Sequence, residues 1–287
     1  VADRLEIAAR AAADAGLEVW YCPFTNDLTA AELLAFLDDA AGRAERIRGE
    51  GADVRFLTGS EISLMTLGLT PGATLTERAA VYADPAGLRA LLPAVQRDTN
   101  ALLATAAARA RQRFDGPIGY ASLPMEAVDW MPFDFIATDA GYRDATNADA
   151  LPASLAAPTA QGKPVAVTEF GCAAFTGAAD LGSRSDIIVY DPETARPAGF
   201  SATVTRDEGE QARYLRELLD VFDAGGVDTA FVQTFAARHL PADDDPARDF
   251  DLGSFGIVRV RRSGLEPKVA FHALAEYGRA RKEAAAS

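Results

Sequence analysis

Apolar and polar positions divide the chain into short apolar runs and longer amphipathic stretches. Leu5, Ala8, Ala9 and Ala12 recur at i, i+3, i+4 and i+7, which predicts a helix ended by Gly16. "EVWYCPF", 18–24, reads as an aromatic-rich strand stopped by Pro23. Thr29 and Glu32 form a capping-box pattern that opens a helix running to about Gly49. "VRFLTGSEISL", 54–64, reads as a strand ending near Gly59, and 66–87 as a long connection with Pro71, Gly72 and Pro85. A helix over about 88–113 follows, then strands at "PIGYASL", 117–123, and "FDFIATDAGY", 133–142. A weakly periodic helix near 149–161 ends at Gly162, and "PVAVTEFGC", 164–172, is the next strand. Residues 173–204 form a second long connection. Thr205 and Glu208 repeat the capping-box pattern, and Leu215, Leu218, Leu219 and Phe222 give that helix an apolar stripe stopped by Gly225–Gly226. "DTAFVQTF", 228–235, is a strand, 236–256 a third connection, and Pro267 opens a last helix through Ala270, Leu274 and Tyr277.

Strand and helix thus alternate six times, and the strands are continuous apolar runs. Such runs belong to a parallel sheet buried on both faces. The long connections all follow strands and precede helices, as on the face of a β/α barrel that carries its chemistry. No glycine-rich phosphate-binding pattern follows any strand, which removes the main support for a nucleotide-binding open sheet. The expected fold is therefore α/β, a (β/α)8 TIM barrel of which the chain covers about six β/α units, strands three to eight, as a single domain over 1–287. The chain opens on a helix, so the first two strands are expected upstream of Val1. An open six-stranded sheet would otherwise expose two parallel edges.

Charge narrows the partners. With 42 Asp and Glu against 28 Lys and Arg, the formal net charge is −14. Nucleic acid and anionic membrane surfaces are disfavoured as partners, because both are bound mainly by cationic surfaces. No run of eighteen apolar residues occurs, so no membrane span is expected. The opening Val-Ala-Asp-Arg does not read as a signal peptide, and a cytoplasmic protein is expected. Two cysteines, Cys22 and Cys172, form no C-x-x-C pair and read as small buried fillers. Only two histidines are present, His239 and His272, which excludes a histidine-rich metal centre. No metal and no cofactor are expected. The acidic run "PADDDPARDFD", 241–251, lacks the glycine and terminal glutamate of an EF-hand and reads as solvated acid.

Two acids stand where strands end: Glu61 in "TGSEISL" and Glu169 in "TEFGC". They are 108 residues apart, about three β/α units, so in a barrel they would project across its mouth. One such glutamate is explained by a helix cap or a surface arginine. Two, each flanked by small residues, point to chemistry. Burying a carboxylate unpartnered costs at least about 1–3 kcal/mol, and folds retain such groups mostly where the charge is used.

"GSE", "TEFG" and the strand order together resemble the retaining glycoside hydrolases of the β/α-barrel superfamily called clan A. "FDFIATDAGY" and the terminal "DLGSFGIV…EPKVAFHALAEY" extend the resemblance over most of residues 3–279. The chain also looks similar to actinobacterial barrel proteins labelled abortive-infection proteins, a label without a mechanism. The clan resemblance implies that Glu61 is the acid/base, Glu169 the nucleophile, and Tyr142 a hydrogen-bond partner of the nucleophile. It implies a small-molecule or short glycoside as substrate, cleaved by double displacement. The two carboxyl groups of such an enzyme stand about 5–5.5 Å apart. Ser60 stands where the clan has an asparagine that holds the sugar 2-hydroxyl, and "FVQTF" offers Phe231, Gln233 and Phe235 where the clan has a tryptophan platform.

Further candidates carry two readings each. Asp139 caps a helix or binds substrate. Trp20 and Tyr21 alternate faces, one in the core and one toward the mouth. Trp130 packs a loop or stacks on a sugar, and His239 faces solvent or touches a ligand. The candidate site is therefore Glu61 and Glu169 with Tyr142, Ser60, Asp139, Trp20, Gln233 and Phe235 around them. Ser60 and the missing tryptophan also fit a second function, a glycosidase-like barrel doing non-hydrolytic acid/base chemistry as a cyclase, isomerase or lyase. A third is a non-catalytic binding protein in defence. The sequence leaves the sugar, the linkage and the oligomeric state open.

Overall fold

A computed structural model describes residues 2–286. They form two compact units, Val1–Asp139 and Ala140–Ser287.

The first unit opens with α1 (Ala2–Asp14), β1 (Val19–Tyr21) and α2 (Ala30–Gly49). The Thr29 capping box is formed: the Thr29 side chain accepts from the Glu32 N–H while the Glu32 carboxylate accepts from the Thr29 N–H at 2.9 Å. Leu33, Leu37, Ala40, Ala41, Ala44 and Ile47 give α2 one buried face. Next come β2 (Val54–Ser60), a single turn α3 (Ile62–Met65), α4 (Leu75–Tyr82), α5 (Pro85–Ala110), β3 (Ile118–Ser122) and β4 (Ile136–Thr138). The strands pair in parallel and in chain order, Val19 beside Val54, Phe56 beside Ile118 and Ala121 beside Ala137. Tyr21, Phe56 and Phe114 stack through its core, with centroids 6.3 and 5.7 Å apart.

The second unit contains α6 (Leu151–Thr159), β5 (Val165–Phe170), α7 (Ala178–Leu181), β6 (Ile188–Tyr190), β7 (Pro197–Phe200), α8 (Glu208–Ala224), β8 (Thr229–Val232), β9 (Val258–Arg261), β10 (Gly264–Pro267) and α9 (Val269–Ala286). β5 and β8 pair in parallel, Val167 beside Ala230. Leu215, Leu218 and Phe222 bury the predicted stripe of α8, and Phe222 meets Phe170 edge-on at 5.2 Å.

The parallel strand–helix repeat is as expected, but four local expectations are not. The connection 66–87 contains α4, opened by a second capping box at Thr74 and Glu77. Only a 3-10 turn, Pro124–Glu126, stands between β3 and β4 where a regular repeat has a helix. Ala127, left-handed at φ 46°, ends that turn. The cap of α8 is Asp207, whose carboxylate accepts from the Glu210 N–H at 2.8 Å, so Thr205 and Glu208 form no capping box there. The connection 173–204 folds into the β6–β7 hairpin, and the β9–β10 hairpin precedes α9, with Pro267 in its second strand rather than at the helix start.

The acidic run is only partly solvated. Asp251 is 1% exposed and pairs with Lys268 at 2.9 Å and Arg206 at 2.9 Å, while Asp249 also binds Arg206. Sequence reading took these acids as surface because their basic partners lie elsewhere in the chain.

Candidate active site

Glu61 and Glu169 lie in different units. In the first unit β2 ends at Ser60, and Glu61 follows in the left-handed region at φ 49° and ψ 38°. That conformation is uncommon for a residue with a Cβ and persists where its surroundings enforce it. Residues 62–65 then make one helical turn, with the Leu64 and Met65 N–H groups both donating to the Glu61 carbonyl at 2.9 Å.

Buried side chains hold this turn from both ends. The Ile62 N–H donates to the Tyr120 hydroxyl at 2.8 Å, and the Ser63 N–H to Glu126 Oε1 at 3.0 Å. Tyr120 in turn donates to the Glu126 carboxylate at 2.8 Å, and the Leu123 N–H donates to Glu126 Oε2 at 2.9 Å. At the other end Arg78, fully buried, donates to the Leu64 carbonyl at 2.6 Å, and Thr70 to the Ser63 carbonyl at 2.7 Å. Tyr82 and Ser63 share a hydroxyl contact of 2.7 Å. Burial pushes the Glu126 carboxyl above its ordinary value, against the pull of its Ser63, Tyr120 and Leu123 donors. Burial also pushes the Tyr120 hydroxyl well up, and the adjacent Glu126 charge adds to it.

Around this turn, Ser60 is buried and donates to Asp139 Oδ2 at 3.0 Å. No helix starts at Asp139, since the next one opens at Leu151, so the helix-cap reading of Asp139 is wrong. Trp20 packs edge-on against Phe135 at 4.9 Å, with the Arg55 guanidinium 5.4 Å over its ring. Its neighbour Tyr21 is in the core. Trp130 packs edge-on against Phe133 at 5.8 Å.

In the second unit Glu169 is still within β5, and the Tyr142 hydroxyl donates to Glu169 Oε2 at 3.0 Å. Gly141 permits this approach. A Cβ there would lie 2.3 Å from both the Glu169 carbonyl oxygen and Val167 Cγ1, so the backbone can run against β5 only without one. Gly171, just past the strand, meets the same constraint against the Gln233 carbonyl at 2.3 Å. The Gln233 N–H donates to the Phe170 carbonyl at 2.8 Å, and the Gln233–Thr234 peptide is cis. Phe235 is 52% exposed. A cavity of about 210 Å³ opens beside β8, lined by Ser183, Asp186, Tyr190, Gln233, His239 and Phe255. Phe255 also faces the Tyr142 ring at 6.4 Å. Cys172 is buried, and burial pushes its thiol up to about 12, as its reading as a core filler requires.

The chain is similar in structure to a GH113 β-1,4-mannanase in complex form, with a TM-score of 0.60 and 18% identity over 96% of this chain and 78% of the other. A GH113 β-mannanase from Alicyclobacillus acidocaldarius gives the same TM-score at 17% identity, over 97% and 78%. A β-glucuronidase from an uncultured Clostridium sp. gives 0.53 at 16% identity, over 96% of this chain and 42% of the other. The fold is a partial (β/α)8 barrel, similar to that of the GH113 β-mannanases. No family model matches the chain, and no curated protein matches it in sequence.

Within that fold the second unit brings Tyr142 to Glu169, and the first brings Ser60 to Asp139. Sequence reading missed Tyr120, Glu126 and Arg78. The one local signal was "PMEAV", a glutamate among apolar residues in a connection too irregular for helix. Among the described residues no cluster of His, Cys, Asp or Glu is placed to hold a metal ion. None of their helices is long and apolar enough to cross a membrane.

Proposed function

We propose that the protein is a glycoside hydrolase that cleaves a small glycoside by a retaining double displacement. Glu169 is the nucleophile and Glu61 the acid/base. The observation that carries this reading is the Tyr142 hydrogen bond to Glu169 at a strand end, in a chain with the fold of β-mannanases. The phenol orients the Glu169 carboxylate, which attacks the anomeric carbon. Glu61 then protonates the departing oxygen, and its conjugate base later deprotonates the water that frees the sugar. The whole chain 1–287 acts as one domain in this reading, without a metal or cofactor.

The test is intact mass after incubation with 2,4-dinitrophenyl 2-deoxy-2-fluoro-β-mannoside, -glucoside and -glucuronide. The fluorine slows release more than attack, so a covalent glycosyl-enzyme accumulates. One added fluoro-sugar, mapped to the peptide containing Glu169, is expected. An unchanged mass with all three would overturn the hydrolase reading. Ser60 favours the second reading, non-hydrolytic acid/base chemistry, because its hydroxyl is engaged with Asp139 where the clan places a sugar-holding asparagine.

A further inference from the structure

We propose that Glu126 and Tyr120 are positioning residues for Glu61: they hold the two amides that directly follow it and so fix the direction in which its side chain leaves the backbone. The proposal rests on the reading of Glu61 as the acid/base. Three observations converge. Glu61 is a non-glycine residue at φ 49°, a conformation that its surroundings must enforce. The Ile62 and Ser63 N–H groups, at the start of a turn too short to stabilise itself, end on Tyr120 and Glu126. Glu126 is a carboxylate 1% exposed, and no ion pair involves it among the described residues.

A buried acid without a counter-ion is a poor device for stability alone, since an apolar side chain of similar volume fills a core at lower cost. It is a good device for aiming a backbone, because its two oxygens accept three donors from fixed directions: the Ser63 N–H, the Leu123 N–H and the Tyr120 hydroxyl. The Tyr120 oxygen, set by that donation, presents its lone pair to the Ile62 N–H. Arg78 and Thr70 hold the carbonyls of the same turn. The turn is thereby fixed at both ends, and Glu61, the residue that leads into it, leaves the backbone in a set direction.

The experiment compares wild type with Glu126→Gln and with Tyr120→Phe, the milder change should the first fail to fold. Two readouts are taken. The first is amide hydrogen exchange at Ile62 and Ser63. Protection is expected to fall by about tenfold or more at these amides and to stay within about twofold in β3. The second is kcat/KM, which reports the glycosylation step, on phenyl and 2,4-dinitrophenyl β-mannosides, β-glucosides and β-glucuronides. The dinitrophenolate leaves without a proton, whereas phenol needs one from Glu61. A misaimed acid therefore costs about 100-fold on the phenyl glycoside and less than about threefold on the dinitrophenyl one. Azide, which attacks without base help, is expected to speed dinitrophenyl turnover by the variants and not by wild type. Unchanged exchange at Ile62 and Ser63, or an equal loss on both leaving groups with no azide effect, overturns the proposal. Wild type inert to every glycoside overturns the hydrolase reading instead, and the exchange result still decides whether Glu126 and Tyr120 hold the turn.

Discussion

The two strand ends deliver their glutamates by opposite means. Glu169 stays in the extended backbone of β5, and its side chain is held from outside by the Tyr142 hydroxyl. Glu61 has left its strand for a left-handed turn, and there the backbone is what is held, by Tyr120, Glu126, Arg78 and Thr70. A strand already orients a side chain through its ladder, and the Tyr142 hydroxyl adds to that. A single turn has no ladder, and four side chains from four segments replace it.

This contrast predicts that damage at the two sites separates stability from rate. The largest effect is expected for Glu126→Ala, which leaves the Ser63 and Leu123 amides and the Tyr120 hydroxyl unsatisfied in the core. A loss of about 3 kcal/mol or more in urea unfolding is expected. A loss below about 1 kcal/mol would mean that water replaces the carboxylate and that the turn is not held as described. Next is Tyr142→Phe, which removes one donor from a half-buried carboxylate. Turnover of a β-glycoside is expected to fall about tenfold, or about 1.4 kcal/mol in the barrier, with the unfolding midpoint unchanged. A large shift in that midpoint with intact rate would erase the distinction.

The smallest effect is a pH slope. The Glu126 carboxyl is raised in the folded protein, so the folded state binds that proton more tightly than the unfolded chain does. The stability this group contributes is full below the ordinary glutamate value and fades as pH rises through the raised one. Unfolding followed from pH 4 upward should show this decline in wild type and not in Glu126→Gln, where no proton is exchanged. A parallel slope in both would assign it to other groups.

What the sequence made legible follows the range of the interactions. Thr29 and Glu32 cap a helix as expected because both partners lie within one turn. The same pattern at Thr205 and Glu208 fails because Asp207 competes two residues later, while Glu208 turns to Arg259 and to the Val269 N–H. The apolar runs announced the parallel strands, since burial on both faces leaves a plain mark. The β6–β7 hairpin left none: Val189 and Tyr190 are exposed, and its alternation is broken where the register slips. Of the site, Tyr142 was legible through resemblance and Glu126 was not, because its partners Tyr120 and Ser63 are 6 and 63 residues away.

The acid-rich connection after β8 is moored at both ends, its start by the Ala242 N–H on the Val260 carbonyl at 2.9 Å and by Asp244 on Arg261 at 3.0 Å. Asp249 and Asp251 tie its close to Arg206 and Lys268, whereas Asp245 to Arg248 lie exposed at its crest. Its length and composition at the crest are therefore open to drift without disturbing the mooring. Lineages or protein engineers seeking to diversify this barrel have a segment there that can be exchanged while β8, α8 and α9 keep their places.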